Sequence, residues 1–207
     1  MITTILFDLD GVLLDAKEIH YEALNEALKR RNYSEISRKD HLGIFDGLPT
    51  RVKLEMLGIE KRNISRVCAT KQEITIKLIK KKISPLPKHF DLFDWFEDKK
   101  YKVGCCTNSV RETLIISLEA LGLRADFEVL LSNQDVEKPK PDPEIYLSAM
   151  EKLSSKPEET LIIEDNFNGI QAARASGAFV LEVSGVDEVN LYNIKRKIEE
   201  IDDTKQD

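Results

Sequence analysis

The sequence predicts an α/β protein: a doubly wound parallel sheet of about five strands, with a helical module inserted after the first. Three observations predict it. Short apolar runs bounded by turn signals recur along the chain, segments of helical periodicity follow most of them, and the alternation breaks only once. At the break, about ninety residues separate the first strand-like run from the second, helical in period and without a clear strand.

The first run, Thr4 to Leu9, is rich in Ile, Leu and Phe and reads as a buried strand. A helix follows, with Ile19, Ala23, Leu24, Ala27 and Leu28 on one stripe; Val52, Leu54, Met56 and Leu57 begin another apolar segment. Ser84-Pro85-Leu86-Pro87 marks the return to the core. Phe93, Trp95 and Phe96 fall in an amphipathic segment and read as core. Further strands are expected at Lys102 to Thr107, Phe127 to Ser132, Thr160 to Glu164 and Phe179 to Val183. Helices are expected at Val110 to Leu121, Pro143 to Leu153, Gly169 to Ser176 and Val189 to Ile201. Asp142-Pro143 reads as an N-cap and first helical residue, and Gly177 as a helix stop. The division that results is a core of residues 1–14 and 84–201, a helical insert of residues 15–83 and a frayed tail of residues 202–207.

Composition narrows the function. The 207 residues carry 31 Lys plus Arg against 37 Asp plus Glu, a formal charge of −6, which argues against a general nucleic-acid binder. No window approaches the roughly 20 apolar residues of a membrane span, and the N-terminus has no basic leader, so a cytoplasmic protein is expected. Three cysteines, Cys68, Cys105 and Cys106, read as reduced, and no Cys/His spacing suggests zinc. Neither heptads nor long exposed apolar strands occur, so a monomer acting on a small molecule is the expectation.

Ligands of open parallel sheets bind beyond the carboxyl ends of the strands. There the sequence places Asp8-Leu9-Asp10-Gly11, Thr107-Asn108-Ser109, Lys138-Pro139-Lys140-Pro141-Asp142 and Glu164-Asp165. Taken singly, such residues are turn formers, caps or solvated side chains; their order on successive strand ends sets them apart. Crowded carboxylates repel, and a hard divalent cation with oxygen ligands, Mg²⁺, relieves them. Asp8 and Asp10, two apart, share a face in a regular strand, so one can attack while the other handles protons. Lys138 would supply a point charge to developing negative oxygen, and Thr107 and nearby helix-start amides would hold the remaining phosphoryl oxygens.

Asp-x-Asp-Gly-x-Leu-x-Asp, Thr-Asn-Ser, Lys-Pro-x-Pro-Asp, and Glu-Asp followed by Gly-Ile-x-Ala-Ala-x-x-Gly together resemble the haloacid dehalogenase superfamily. The resemblance, to the branch of phosphatases and phosphomutases with an inserted helical cap, runs from Ile5 to Gly177. It implies that Asp8 is the nucleophile and Asp10 the general acid and base. By the same resemblance Asp8, the main-chain carbonyl of Asp10 and Asp165 hold Mg²⁺ with Glu164 beside them, while Thr107, Lys138 and Asn108 bind the phosphoryl group. The resemblance also implies that Asp10 favours phosphoryl transfer over carbon–halogen cleavage, since dehalogenases of that superfamily share the first aspartate and lack the second. Two departures stand out: Ala16 where a hinge hydroxyl is common, and Asn166 where serine is frequent.

In the cap, His20 lies at a spacing that in related sequences faces the cleft, and Gly47 to Leu54 resembles a loop that reaches over the site. His20, Arg51 and Lys53 are thus candidate substrate contacts, with a half-buried helical histidine and solvated helix-start cations as the plainer alternatives. Basic residues from Lys61 to Lys82 either steer anionic substrates or form a solvated face. The expected function is a Mg²⁺-dependent phosphatase of a small phosphorylated metabolite, working through an aspartyl phosphate. A beta-phosphoglucomutase-like mutase and a catalytically idle regulator are the alternatives.

Overall fold

β1 (Thr4–Phe7) is completely buried, with Leu6 and Phe7 packed into opposite layers, as the two-residue period of a strand requires. In the computed structural model, which describes residues 1–45 and 47–204, this strand is the centre of the sheet. β2 (Lys102–Cys106), β3 (Val129–Leu131), β4 (Thr160–Glu164) and β5 (Phe179–Glu182) complete it in the order β3-β2-β1-β4-β5, every pairing parallel. The register puts Phe7 opposite both Cys105 and Ile163, which aligns the carboxyl ends of β1, β2 and β4.

The chain divides into two units, Met1–Asp15 together with the chain from Ser84, and Ala16–Ile83. In the first, one face of the sheet carries Leu6, Cys106, Leu131 and Ile162 against Ile145, Tyr146 and Ala149 of α7 (Glu144–Lys152) and Ala172 and Ala173 of α8 (Phe167–Ala175). On the other, the Phe7 ring lies 5.7 Å from Phe93 of α5 (Pro87–Lys99) and 6.0 Å from Phe96 of the same helix. Close-packed aromatic rings of this kind contribute beyond their buried area. α6 (Arg111–Leu121) and α9 (Leu191–Asp203) complete the unit.

The second unit is helical. α1 (Lys17–Lys29) packs Ala23, Leu24, Ala27 and Leu28 with Ile64, Val67 and Ile74 of α4 (Lys61–Lys82), and Leu54 of α3 (Thr50–Met56) joins the same cluster. Between them, Arg38–Leu42 forms the short α2, capped by the Ser37 hydroxyl. Asn25 bonds both backbone groups of Ile36, at 2.8 and 3.1 Å, and so fixes the connection after α1. Among the described residues no helix is long and apolar enough to cross a membrane.

Several boundaries differ from the sequence expectation. β1 ends at Phe7 instead of Leu9, because Leu9 accepts from Leu13 and Leu14 and the chain turns out of the sheet. β3 is shorter at both ends, and Phe127 instead caps the aromatic cluster, 5.1 Å from Phe93. α7 begins at Glu144, with Pro143 as its N-cap; Asp142 still accepts from the Glu144 N–H at 3.1 Å. The chain is not frayed from Asp202: α9 continues to Asp203, and Asp202 is tied down by the Ile2 N–H at 2.8 Å. Residues 205–207 of the expected tail lie outside the described residues.

Candidate active site

Asp8 follows the last residue of β1 and extends the ladder by one bond, its N–H donating to the Ile163 carbonyl at 3.0 Å. That bond aims the side chain beyond the carboxyl edge, where it is buried. Asp10 lies past the strand end, so its orientation comes from the turn, where Gly11 N–H donates to the Leu14 carbonyl. The Ser109 hydroxyl then donates to Asp10 Oδ2 at 2.6 Å. Ser109 is itself held by its N–H to Thr107 Oγ1, and Thr107 is buried at the end of β2.

Gly11 carries the geometry of the acidic cluster. Its φ of +92° suits glycine, and a Cβ there would stand 2.1 Å from Asp165 Oδ2. The bare backbone thus lets Asp165, just beyond β4, close against the Asp8–Asp10 turn. Carboxylate oxygens of Asp8, Glu164 and Asp165 all lie within 4.8 Å of one another.

The cation in this cluster is Lys140. Its ammonium spends all three protons, at 2.6 Å on Asp8 Oδ1, 2.6 Å on Glu164 Oε1 and 2.8 Å on the Cys106 carbonyl. Burial alone would depress the ammonium, but the Asp8 and Glu164 carboxylates overcome it and hold the group above its ordinary value. Burial likewise pushes the Asp8 carboxyl well up; Lys140 opposes that rise, while Glu164 and Asp10 add to it. One ammonium among these carboxylates leaves negative charge uncompensated. An all-oxygen set of this kind fits a hard divalent cation, which Asp8 and Asp165 are placed to hold with the Asp10 turn beside them.

Lys138, the lysine the sequence singled out, is not part of this cluster. Its side chain is exposed, because the main-chain N–H groups of Glu137 and Lys138 both donate to the Glu144 carboxylate and turn that stretch outward. Lys140, two residues on, occupies the place assigned to it. Asn108 explains why: its amide oxygen accepts from Lys140 N–H at 3.0 Å and its amide nitrogen donates to the Lys140 carbonyl at 3.2 Å. Both ends of the Asn108 amide therefore clamp the lysine loop. The tandem Lys-Pro-Lys-Pro offered two lysines before proline, and only position relative to α7 separates them.

Glu164, at the end of β4, receives Lys140 and the Tyr146 hydroxyl on Oε1, each at 2.6 Å. Tyr146 is fully buried on α7, and nothing in its sequence context marked it as polar machinery. The cap candidates lie in the helical unit: His20 on α1, its Nδ1 3.0 Å from Lys71 Nζ, and Arg51 and Lys53 on α3, with Arg51 exposed. Cys105 and Cys106 are free and buried, and burial pushes the Cys106 thiol up to about 12, which leaves it inert.

A parallel α/β sheet with an acid cluster and a buried lysine at its carboxyl edge has the charged groups where ligands of such sheets bind, with a fixed cation able to stabilise negative oxygen. Residues 5–183 match the haloacid dehalogenase-like hydrolase family, and the chain belongs to it. It is 28% identical to a phosphorylated carbohydrates phosphatase of Thermotoga maritima over 84% of this chain and 81% of that one. A pyrophosphatase PpaX of Anoxybacillus flavithermus is 30% identical over 85% of this chain and 80% of its own. Among solved structures, a beta-phosphoglucomutase from Clostridium difficile superposes with a TM-score of 0.82 at 24% identity, covering 97% of this chain and 98% of that one. CbbY from Rhodobacter sphaeroides gives 0.79 at 24% identity, over 87% and 85% of the two chains. These two likenesses establish the fold. The chain is thus an enzyme of the hydrolase class, with phosphatases among its relatives.

Proposed function

We propose that the protein is a Mg²⁺-dependent phosphatase of a small phosphorylated metabolite, acting through an aspartyl phosphate on Asp8. The observation that carries this reading is the buried Asp8 carboxylate with the Lys140 ammonium 2.6 Å from one of its oxygens, beside Asp165. The named activities of the Thermotoga and Anoxybacillus relatives, both phosphate-releasing, support it.

Asp8 attacks phosphorus, forming the aspartyl P–O bond as the ester P–O bond breaks, and Asp10 gives its proton to the leaving oxygen. Asp10 then takes a proton from water, whose oxygen bonds to phosphorus as the P–O bond to Asp8 breaks, releasing phosphate. A bound Mg²⁺ supplies charge neutralisation for the phosphoryl oxygens. Lys140 keeps its bonds to Glu164 and Cys106 and passes the third, now on Asp8, to a phosphoryl oxygen. Ser109 holds Asp10 in line through its hydroxyl, and Thr107 lies beside it as a phosphoryl partner.

The test is phosphate release from sugar phosphates, other phosphomonoesters and pyrophosphate, with and without Mg²⁺, for the wild type and Asp8→Asn. Metal-dependent release from monoesters that the substitution abolishes is expected. Release from pyrophosphate alone would move the substrate class. Conversion of a sugar 1-phosphate to its 6-phosphate after bisphosphate priming, without net phosphate release, would replace the hydrolase with a mutase.

A further inference from the structure

Glu164 is enclosed on every side. Its Oε1 accepts from Lys140 Nζ and from the Tyr146 hydroxyl, and its Oε2 faces the N–H groups of Asp165 at 3.2 Å and Asn166 at 3.4 Å. The first turn of α8 presses on the same carboxylate, since a Cβ at Gly169 would stand 1.9 Å from Oε1. All the lone-pair directions of this carboxylate are therefore taken by the protein's own donors. Tyr146 touches the lysine as well, its ring centroid lying 4.8 Å from Lys140 Nζ. The phenol and the ammonium thus meet at one oxygen, and the ring backs the ammonium from beside it.

We propose that Tyr146 is a positioning residue for the reaction at Asp8: its hydroxyl fixes Glu164 as the clamp that holds Lys140, and Glu164 serves the lysine instead of the cation. The inference rests on Asp8 being the nucleophile. Lys140 must release Asp8 and meet a phosphoryl oxygen while its other two bonds stay in place. Glu164 supplies one of those two anchors, and it can do so only while its own oxygen is pinned. The phenol is the side-chain donor that does the pinning, from a helix on the layer beneath the sheet.

Tyr146→Phe keeps the ring and its packing and removes only the hydroxyl. Losing one hydrogen bond to a charged group predicts a fall in kcat of about tenfold, with KM and the Mg²⁺ half-saturation changed less than about twofold. A second readout does not depend on turnover. Beryllium fluoride with Mg²⁺ mimics the phosphoryl group on a carboxylate, and its three fluorines report their neighbours by ¹⁹F NMR. The wild type should give three resolved resonances that Asp8→Asn abolishes, and Tyr146→Phe should shift or broaden the one beside Lys140. Unchanged kcat and an unchanged spectrum in Tyr146→Phe would overturn this inference alone. So would a tenfold rise in Mg²⁺ half-saturation, in Tyr146→Phe or Glu164→Gln, with kcat restored at saturating metal, because Glu164 would then be serving the cation. Absence of any Asp8-dependent beryllium fluoride complex in the wild type would overturn the nucleophile assignment, and this inference with it.

Discussion

Replacing each of two neighbouring lysines by methionine separates the structure from a simple reading of the motif. Lys140→Met removes three hydrogen bonds made by a lysine only 5% exposed and leaves Asp8 and Glu164 without their common counter-charge. Breaking a buried ion pair from one side costs about 3–5 kcal/mol, and in a chain of this size each kcal/mol moves Tm by roughly 2–4 °C. The expected drop in Tm is therefore roughly 6–20 °C at neutral pH. On the reaction, loss of a preorganised charge at the phosphoryl oxygens is worth about 10²–10³ in kcat. Lys138→Met touches an exposed side chain, so its expected effect is within about 0.5 kcal/mol on stability and less than about twofold on kcat. Thermal unfolding followed by circular dichroism and phosphate release under saturating Mg²⁺ measure both quantities. Equal losses in the two variants, or a larger one in Lys138→Met, would refute the assignment of the buried lysine.

Two further consequences can be measured directly. Gly11→Ala would force a methyl group to within 2.1 Å of Asp165 Oδ2 at a φ of +92°, so Asp165 must move. A stability loss of about 1–3 kcal/mol should accompany a weaker Mg²⁺ response, and an unchanged half-saturation would mean that Asp165 does not hold the metal. His89 on α5 is fully buried, and among the described residues neither ring nitrogen has a hydrogen-bond partner; burial, with Lys88 adding to it, lowers its pKa to about 4. The unfolded chain then binds the extra proton, so the His89 contribution is complete above about pH 6.5 and is lost as pH falls towards 4. Between pH 7.5 and pH 5 this amounts to about 2 kcal/mol. His89→Leu should lose correspondingly less stability over that interval, read from urea midpoints at the two pH values, and parallel losses in both proteins would refute it.

Much of this protein is legible in its sequence because the signals involved are local. A buried parallel strand needs a short apolar run, and an amphipathic helix needs its stripe, so the five strands and their following helices were readable to within a few residues. That Asp8, Thr107 and Asp165 lie at one edge of the sheet was legible for a related reason, since topology sends every parallel strand's carboxyl end to the same edge. Strand ends were less legible, because a β1 that stops at Phe7 depends on where the Leu9–Leu14 turn closes. The identity of the lysine was not legible at all. Lys138 and Lys140 have the same neighbour chemistry, and what separates them is Glu144 holding the backbone of one and Asn108 holding that of the other.

Tyr146 shows the same boundary from inside the core. On α7 it occupies a position that the helical period assigns to burial, and any large apolar residue would satisfy that pattern. Only packing of α7 against β2 and β3 brings its hydroxyl within 2.6 Å of Glu164, eighteen residues along the chain. By itself the sequence determined which elements form and which strand ends carry charge, since both follow from periodicity and chain order. Tertiary structure alone decided which of those charges meet, because a hydrogen bond is made across a few ångströms of space, whatever the distance along the chain.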